Sequence, residues 1–186
     1  MPRTPEHIYD EWLAARARGG QAAALEALIV RWQGRLLAHA RRLTGSPEGA
    51  TEALQETLVC IARQIRRLED PATFRAWAFR IASRRSADWI RRRRRDRARV
   101  GSLGSEVEAP DAPPDGDEET AAVRAALSSL DAEDQAILAM RYHAEMSVVD
   151  IGVAMDLPVG TVKSRLHAAR GRLRTILERA NEGAMA

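Results

Sequence analysis

Cysteine and lysine each occur once in this 186-residue chain, and aromatic residues make up only 4% of it. The lone Cys60 excludes an internal disulfide framework and a cysteine metal cluster. Its simplest role is that of a small residue on a buried helix face. The four histidines, His7, His39, His143 and His167, have no ligand spacing and no neighbouring acid that would prepare a nucleophile. A glycine-rich phosphate loop is also missing. No catalytic residue, metal or cofactor is expected, and the chain is not read as an enzyme. No apolar run approaches the roughly 20 residues that cross a bilayer. The first residues, MPRTPEHIYDEW, lack the apolar stretch of a secretory signal. These absences point to a cytoplasmic protein without membrane insertion. Strand-type alternation is nearly absent as well, which leaves an all-α fold.

What the chain does have is arginine, unevenly placed. The net charge is only +3, yet residues 1–99 hold 21 arginines against 11 acids. Residues 100–119 hold seven acids and no base, and residues 158–179 hold six bases and one acid. Two basic surfaces separated by an acidic strip form a pattern that the rest of the chain must explain. The densest run is DWIRRRRRDRAR, residues 88–99. Part of it needs no function, because cations near a helix C-terminus are favoured by the macrodipole. Arginines spread around a helix also cannot all face one DNA strand.

Helical periodicity divides the chain into two parts. A first helix is expected over residues 6–18, ended by Gly19-Gly20. A second covers 22–43, with Leu25, Leu28, Ile29, Trp32, Leu36 and Leu37 on one stripe and Gly45 as its stop. Ser46-Pro47 supplies a capping hydroxyl and a first-turn proline for a third helix, with Ala50, Leu54, Leu58, Ile61, Ile65 and Leu68 at spacings of three and four. Asp70-Pro71 opens a fourth, with Phe74, Trp77, Ile81 and Trp89 as its apolar positions. The segment VGSLGSEVEAPDAPPDGDEE holds too little apolar surface to offset its ordering entropy and reads as a flexible acidic linker. The expected organisation is therefore two small helical domains, 5–96 and 120–180, joined by a linker over 97–119.

The second part carries the more specific pattern. Helices are expected over 131–144, 147–155 and 159–180, with Asp131 and Ser147 as N-caps. Asp134 and Asp150 follow three residues later, shorter than the Glu or Gln of a full capping box. Between the last two helices stands MDLPVG. Asp156 tolerates the left-handed turn, Leu157 plugs the angle and Pro158 forbids a continuous helix. Val162, Leu166, Ala169, Leu173, Ile176 and Leu177 form the buried stripe of the last helix. Thr161, Lys163, Ser164, Arg165, His167 and Arg170 lie off it, in the half that a helix-turn-helix inserts into the major groove.

The stretch from 127 to 173, LSSLDAEDQAILAMRYHAEMSVVDIGVAMDLPVGTVKSRLHAARGRL, resembles region four of the sigma factors of bacterial RNA polymerase. It is most similar to the two-domain extracytoplasmic-function group, for which PVGTVKSRL (158–166) is highly specific. ATEALQETL (50–58) resembles a region-two helix usually written A-E-D-L-x-Q-E-x-F. FRAWAFRIASRRSADWIRRRRR (74–95) resembles the basic-ended helix that follows it. The resemblance covers roughly residues 10–177. It departs at Arg84, where asparagine is usual, at Thr51 for an acid, and at Leu58 for an aromatic. Asp150-Ile151-Gly152 replaces Glu-Ile-Ala, and Ala168 stands where a base is common. A glycine inside a helix costs about 1 kcal/mol relative to alanine, which predicts a looser domain.

The resemblance implies a sigma factor, with no catalysis of its own, that binds core RNA polymerase and promoter DNA. It also implies service in a stress or envelope response and control by an anti-sigma factor. Glu52, Gln55 and Glu56 fall on the core-docking positions of region two, where acids complement basic groups of the partner. Arg67, Thr73, Trp77, Arg80, Ser83, Arg84 and Arg91 fall on the segment that reads and melts the minus-ten element, where a flipped base costs a few kcal/mol of stacking. Trp77 also suits the core. Arg141, Thr161, Lys163, Ser164, Arg165, His167 and Arg170 fall on the minus-thirty-five surface. Two other readings use the same residues: a stand-alone helix-turn-helix regulator, which would bind duplex tightly by itself, and a sigma mimic that only occupies an anti-sigma factor.

Overall fold

A computed structural model describes residues 4–100, 123 and 125–184 of the chain, and every regular element among them is helical. Four α-helices form the N-terminal half: α1 (Pro5–Arg18), α2 (Ala22–Thr44), α3 (Pro47–Gln64) and α4 (Phe74–Val100). Local chemistry fixes their ends. Thr4 and His7 cap α1 reciprocally, a capping box in which histidine takes the acceptor role. Gly45 ends α2 in the left-handed region at φ 62°, its N–H reaching the carbonyl of Arg41. Ser46 accepts from the Gly49 amide at 3.2 Å to start α3. Two 3-10 turns, Ile65–Arg67 and Pro71–Thr73, then carry the chain into α4, with Asp70 accepting from the Ala72 amide.

The core of this half gathers on Trp32, whose ring meets Phe74 and Phe79 edge-on at 6.4 and 6.1 Å. Leu28, Leu36, Ile61, Ile65 and Leu68 close around it. The expected α3 stripe is rotated slightly. Ala50, Ile61, Ile65 and Leu68 are buried, but Leu54 and Leu58 are half-buried, while Ala53 and Thr57 go inside. Thr57 satisfies its buried hydroxyl on the Ala53 carbonyl at 2.6 Å, so a polar residue costs little there. Gly49 lets α3 approach α4: a Cβ there would stand 2.7 Å from the Trp89 ring.

The C-terminal half contains α5 (Ala132–Leu138), α6 (Val148–Met155) and α7 (Val159–Ala184). Asp131 caps α5, which continues as a π-helical turn over Ala139–His143. Glu145 follows with a left-handed φ of 52°. Ser147 and Asp150 form a complete capping box on α6, so the shorter aspartate side chain suffices. Asp156 takes the left-handed turn at φ 58°, ψ 46°. Gly152, expected to loosen the domain, instead permits tight packing: a Cβ there would lie 2.8 Å from the Leu157 carbonyl oxygen.

The two halves pack directly on one another. Helix α6 lies against α4 and α5 against α2, and one apolar core runs from Leu13 and Trp32 through Met140, Met146 and Ile151 to Val162. Helix α4 extends through residues 97–100, which the sequence assigns to the linker, and the rest of that linker, 101–119, lies outside the described residues.

His39 is buried between α2 and α4, with its Nε2 2.9 Å from Ser83 Oγ and its ring against Phe79. Burial, aided by the nearby Arg42 charge, pushes its pKa down to about 3. The unfolded chain therefore binds a proton here that the folded chain refuses. The contribution is fully present above the ordinary histidine pKa and is lost as pH falls from there toward 3. Folding stability should decline by up to about 1.4 kcal/mol per pH unit through this window from His39 alone. Urea unfolding across the window should show a shallower decline for His39→Gln than for the unaltered protein.

Candidate nucleic-acid interface

The arginine run at the end of α4 is only partly a free surface. Arg92 Nη2 donates to Glu52 Oε1 at 3.0 Å and to Glu56 Oε1 at 2.9 Å, bridging α4 to α3. Trp89 Nε1 donates to the other Glu52 oxygen at 3.0 Å. Arg85 lies 4.0 Å from Glu56 and 3.4 Å from Asp88, and Arg91 pairs with Asp88 within the helix. Arg93 stacks over the Trp89 ring. Thus Glu52 and Glu56, two of the three expected polymerase-docking residues, already hold α3 to α4, while Gln55 between them is exposed. No local sequence pattern signals this clamp, because its partners stand 36 and 40 residues apart.

The expected minus-ten residues divide into two groups. Arg67, Thr73, Arg84 and Arg91 are exposed, Thr73 with its hydroxyl on the Asp70 carbonyl at 2.7 Å. Trp77, Arg80 and Ser83 are half-buried. Trp77 packs against the core, Ser83 meets His39, and Arg80 pairs with Asp156 of the C-terminal half at 3.3 Å.

The minus-thirty-five candidates converge on the start of α7. Lys163, Ser164, His167 and Arg170 are exposed there, and Thr161 and Arg165 are half-buried. Arg165 pairs with Glu133 and Ser164 Oγ donates to the Thr161 carbonyl. Arg141 donates to the Met146 carbonyl at 2.9 Å, which fixes the turn before α6. Arg141, Lys163, Arg170, Val148 and Leu166 surround a shallow depression of about 230 Å³ together with Tyr142. Tyr142 is 59% exposed, and helical periodicity misses it. Its one signal in the sequence is its place next to Arg141. An exposed phenol among three cations can donate to a phosphate that the cations attract.

Comparison with known proteins bears on the family and the fold. The Sigma-70 region 2 family model matches residues 28–96 and the Sigma-70 region 4 model matches residues 126–175. The chain is 34% identical over 168 residues to the ECF RNA polymerase sigma factor SigL of Mycobacterium tuberculosis, covering 87% of this chain and 93% of that one. The chain belongs to the extracytoplasmic-function sigma factors. It is also 31% identical to the ECF sigma factor SigE of Mycolicibacterium smegmatis, covering 87% of this chain but 65% of that relative. The solved structure of CnrH in complex with the cytosolic domain of CnrY shares the fold, with a TM-score of 0.63, 24% identity, and coverage of 92% of this chain and 98% of that one. Sigma factors are DNA-binding initiation factors and not enzymes. Among the described residues of this sigma factor no helix is long and apolar enough to cross a membrane, and no group of three His, Cys, Asp or Glu could hold a metal ion.

The clamp on α3 makes a distinction between adjacent arginines testable. Arg92→Ala should cost about 1 kcal/mol, since it strips two carboxylates of a shared partner. Arg91→Ala loses only a partner within its own helix and should cost under about 0.5 kcal/mol. Urea unfolding of the two variants measures the difference.

Proposed function

We propose that this sigma factor joins core RNA polymerase through the outer face of α3, at Glu52, Gln55 and Glu56, and carries it to a two-element promoter. The minus-ten element is read and melted by the turns before α4 and by α4 itself, through Arg67, Thr73, Trp77, Arg80, Ser83, Arg84 and Arg91. The minus-thirty-five element is read by α7 through Lys163, Ser164, His167 and Arg170, with Arg141, Thr161 and Arg165 shaping the surface and Tyr142 adding a phosphate contact. The observation that carries this reading is the exposed basic first half of α7, presented by a left-handed turn at Asp156. A major-groove helix needs that exposure and that charge.

The protein acts in the cytoplasm, where core polymerase and promoter DNA are found. Control by an anti-sigma factor is part of the same reading. The similar CnrH was solved with the cytosolic domain of CnrY, and this chain offers two domains for such a partner to hold. The chain carries segments matched to both region 2 and region 4, which favours a working sigma factor over a stand-alone regulator.

Run-off transcription with core polymerase and genomic fragments tests the proposal. Promoter-specific transcripts are expected only when both proteins are present, and their absence from every fragment would sink it. Lys163→Ala with Arg170→Ala should lower transcription from a minus-thirty-five-dependent promoter about tenfold or more, at about 1 kcal/mol or more per lost contact. Binding to core polymerase should stay unchanged in a pull-down. Equal loss of both would mark a folding defect.

A further inference from the structure

Glu52 and Glu56 stand one turn apart on α3, a spacing at which like charges repel. Both are nevertheless held in fixed directions from α4. One nitrogen, Arg92 Nη2, reaches Oε1 of Glu52 at 3.0 Å and Oε1 of Glu56 at 2.9 Å. Trp89 is 9% exposed, and its indole N–H donates to Glu52 Oε2 at 3.0 Å, so each oxygen of that carboxylate has a donor. The indole is itself fixed. Gly49 leaves room for it, since a Cβ there would stand 2.7 Å from the ring, and the Arg93 guanidinium lies 5.9 Å from its centroid. The carboxylates are not used up by these contacts. Each oxygen carries two lone pairs, and the Glu52 and Glu56 side chains remain 48% and 33% exposed. Acceptor positions stay open to the cations of a partner.

We propose that Trp89 and Arg92 are positioning residues for core polymerase docking, holding the Glu52 and Glu56 carboxylates in the directions that the basic groups of the partner meet. This rests on the assignment of α3 to that docking. A solvated glutamate turns about several bonds, and ordering it on binding weakens affinity. Here the ordering is done when α3 and α4 pack, before the partner arrives. A second effect of Arg92 has the opposite sign, because its own charge stands beside the acids and repels a basic partner. That charge is 37% exposed and screened by water and salt, whereas two carboxylates lose their alignment without it. Alignment therefore outweighs repulsion. The two effects predict opposite outcomes when the charge is removed and the length of the side chain is kept.

The affinity of the full-length protein for core RNA polymerase is to be measured by competition against the dye-labelled unaltered protein. Arg92→Gln should bind core about fivefold more weakly, although it makes the face more acidic. Arg92→Lys should recover most of that loss, because a single nitrogen makes both contacts and an ammonium can take its place. Trp89→Phe changes no charge, keeps an aromatic ring against Gly49 and removes only the donor to Glu52. It should bind about threefold more weakly, and it should have no effect in a Glu52→Ala background, where no carboxylate is left to position. Tighter or unchanged binding by Arg92→Gln would overturn the proposal. So would an equal loss from Trp89→Phe with and without Glu52, which would mark a packing effect. If Glu52→Ala and Glu56→Ala both bind core as well as the unaltered protein does, the assignment of α3 to docking fails instead.

Discussion

The ion pair between Asp10 and Arg75 ties α1 to α4 beside the central Trp32 ring, with Arg31 of α2 as a second cation. Asp10 is 1% exposed, and an ionised carboxylate there requires close cations. Arg31 donates to Oδ1 at 2.9 Å, and Arg75 Nε lies 3.7 Å from Oδ2, an ionic contact too long for a hydrogen bond. The Arg75 guanidinium also lies over the Trp32 ring, 4.9 Å from its centroid. One arginine thereby joins the polar anchor of α1 to the central aromatic of the core. Burial pushes its pKa down, and the charges of Glu145, Glu6 and Asp150 oppose that shift.

That junction illustrates a wider problem for a chain so rich in arginine. Like charges three and four residues apart on α4 would destabilise it by a few tenths of a kcal/mol per pair. The helix meets this by recruiting acids from elsewhere: Asp88 from its own turn, and Glu52 and Glu56 from α3. The consequence reaches the docking surface. On the proposed docking face Glu52 and Glu56 are already shared with Arg92, while Gln55 between them is exposed and uncharged. Of the five consecutive arginines, Arg92 braces α4 to α3 and Arg93 lies over Trp89, while Arg91 and Arg95 are exposed.

Most helices are legible in the sequence because their signals are local. Ser46-Pro47, Asp131, Ser147 and Gly45 mark their ends through contacts within four residues, and apolar spacing marks their faces. Sequence and structure part where geometry depends on details that spacing does not carry. Asp150 is shorter than the usual capping-box residue, yet the Ser147 amide reaches it at 3.2 Å. Gly152 reads as a weakness because the approach of the Leu157 carbonyl is invisible in spacing alone. The rotation of α3 that buries Thr57 depends on how α2 and α4 flank it. Of the candidate site, the α7 residues are legible because one helix presents them all. The engagement of Arg80, Ser83, Glu52 and Glu56 is not, since each has its partner on another element.

The acids that face α4 are at positions the helix-turn-helix needs for its own folding. Asp150 is required as the acceptor that closes the α6 capping box, and Asp156 as a residue that tolerates the left-handed turn. Neither has to be selected for contact with Arg75 or Arg80, because the turn and cap already place negative charge on α6 and its ends. A capped helix-turn-helix thus arrives with acids on its flank and bases on its reading helix. Its acidic flank lies against α4, where Asp156 pairs with Arg80, while Lys163, Ser164, His167 and Arg170 stay exposed. The contact is consequently built from partly solvated charges laid over a shared apolar core. Such a combination gives the domain contact its register from charge and its strength from the apolar core.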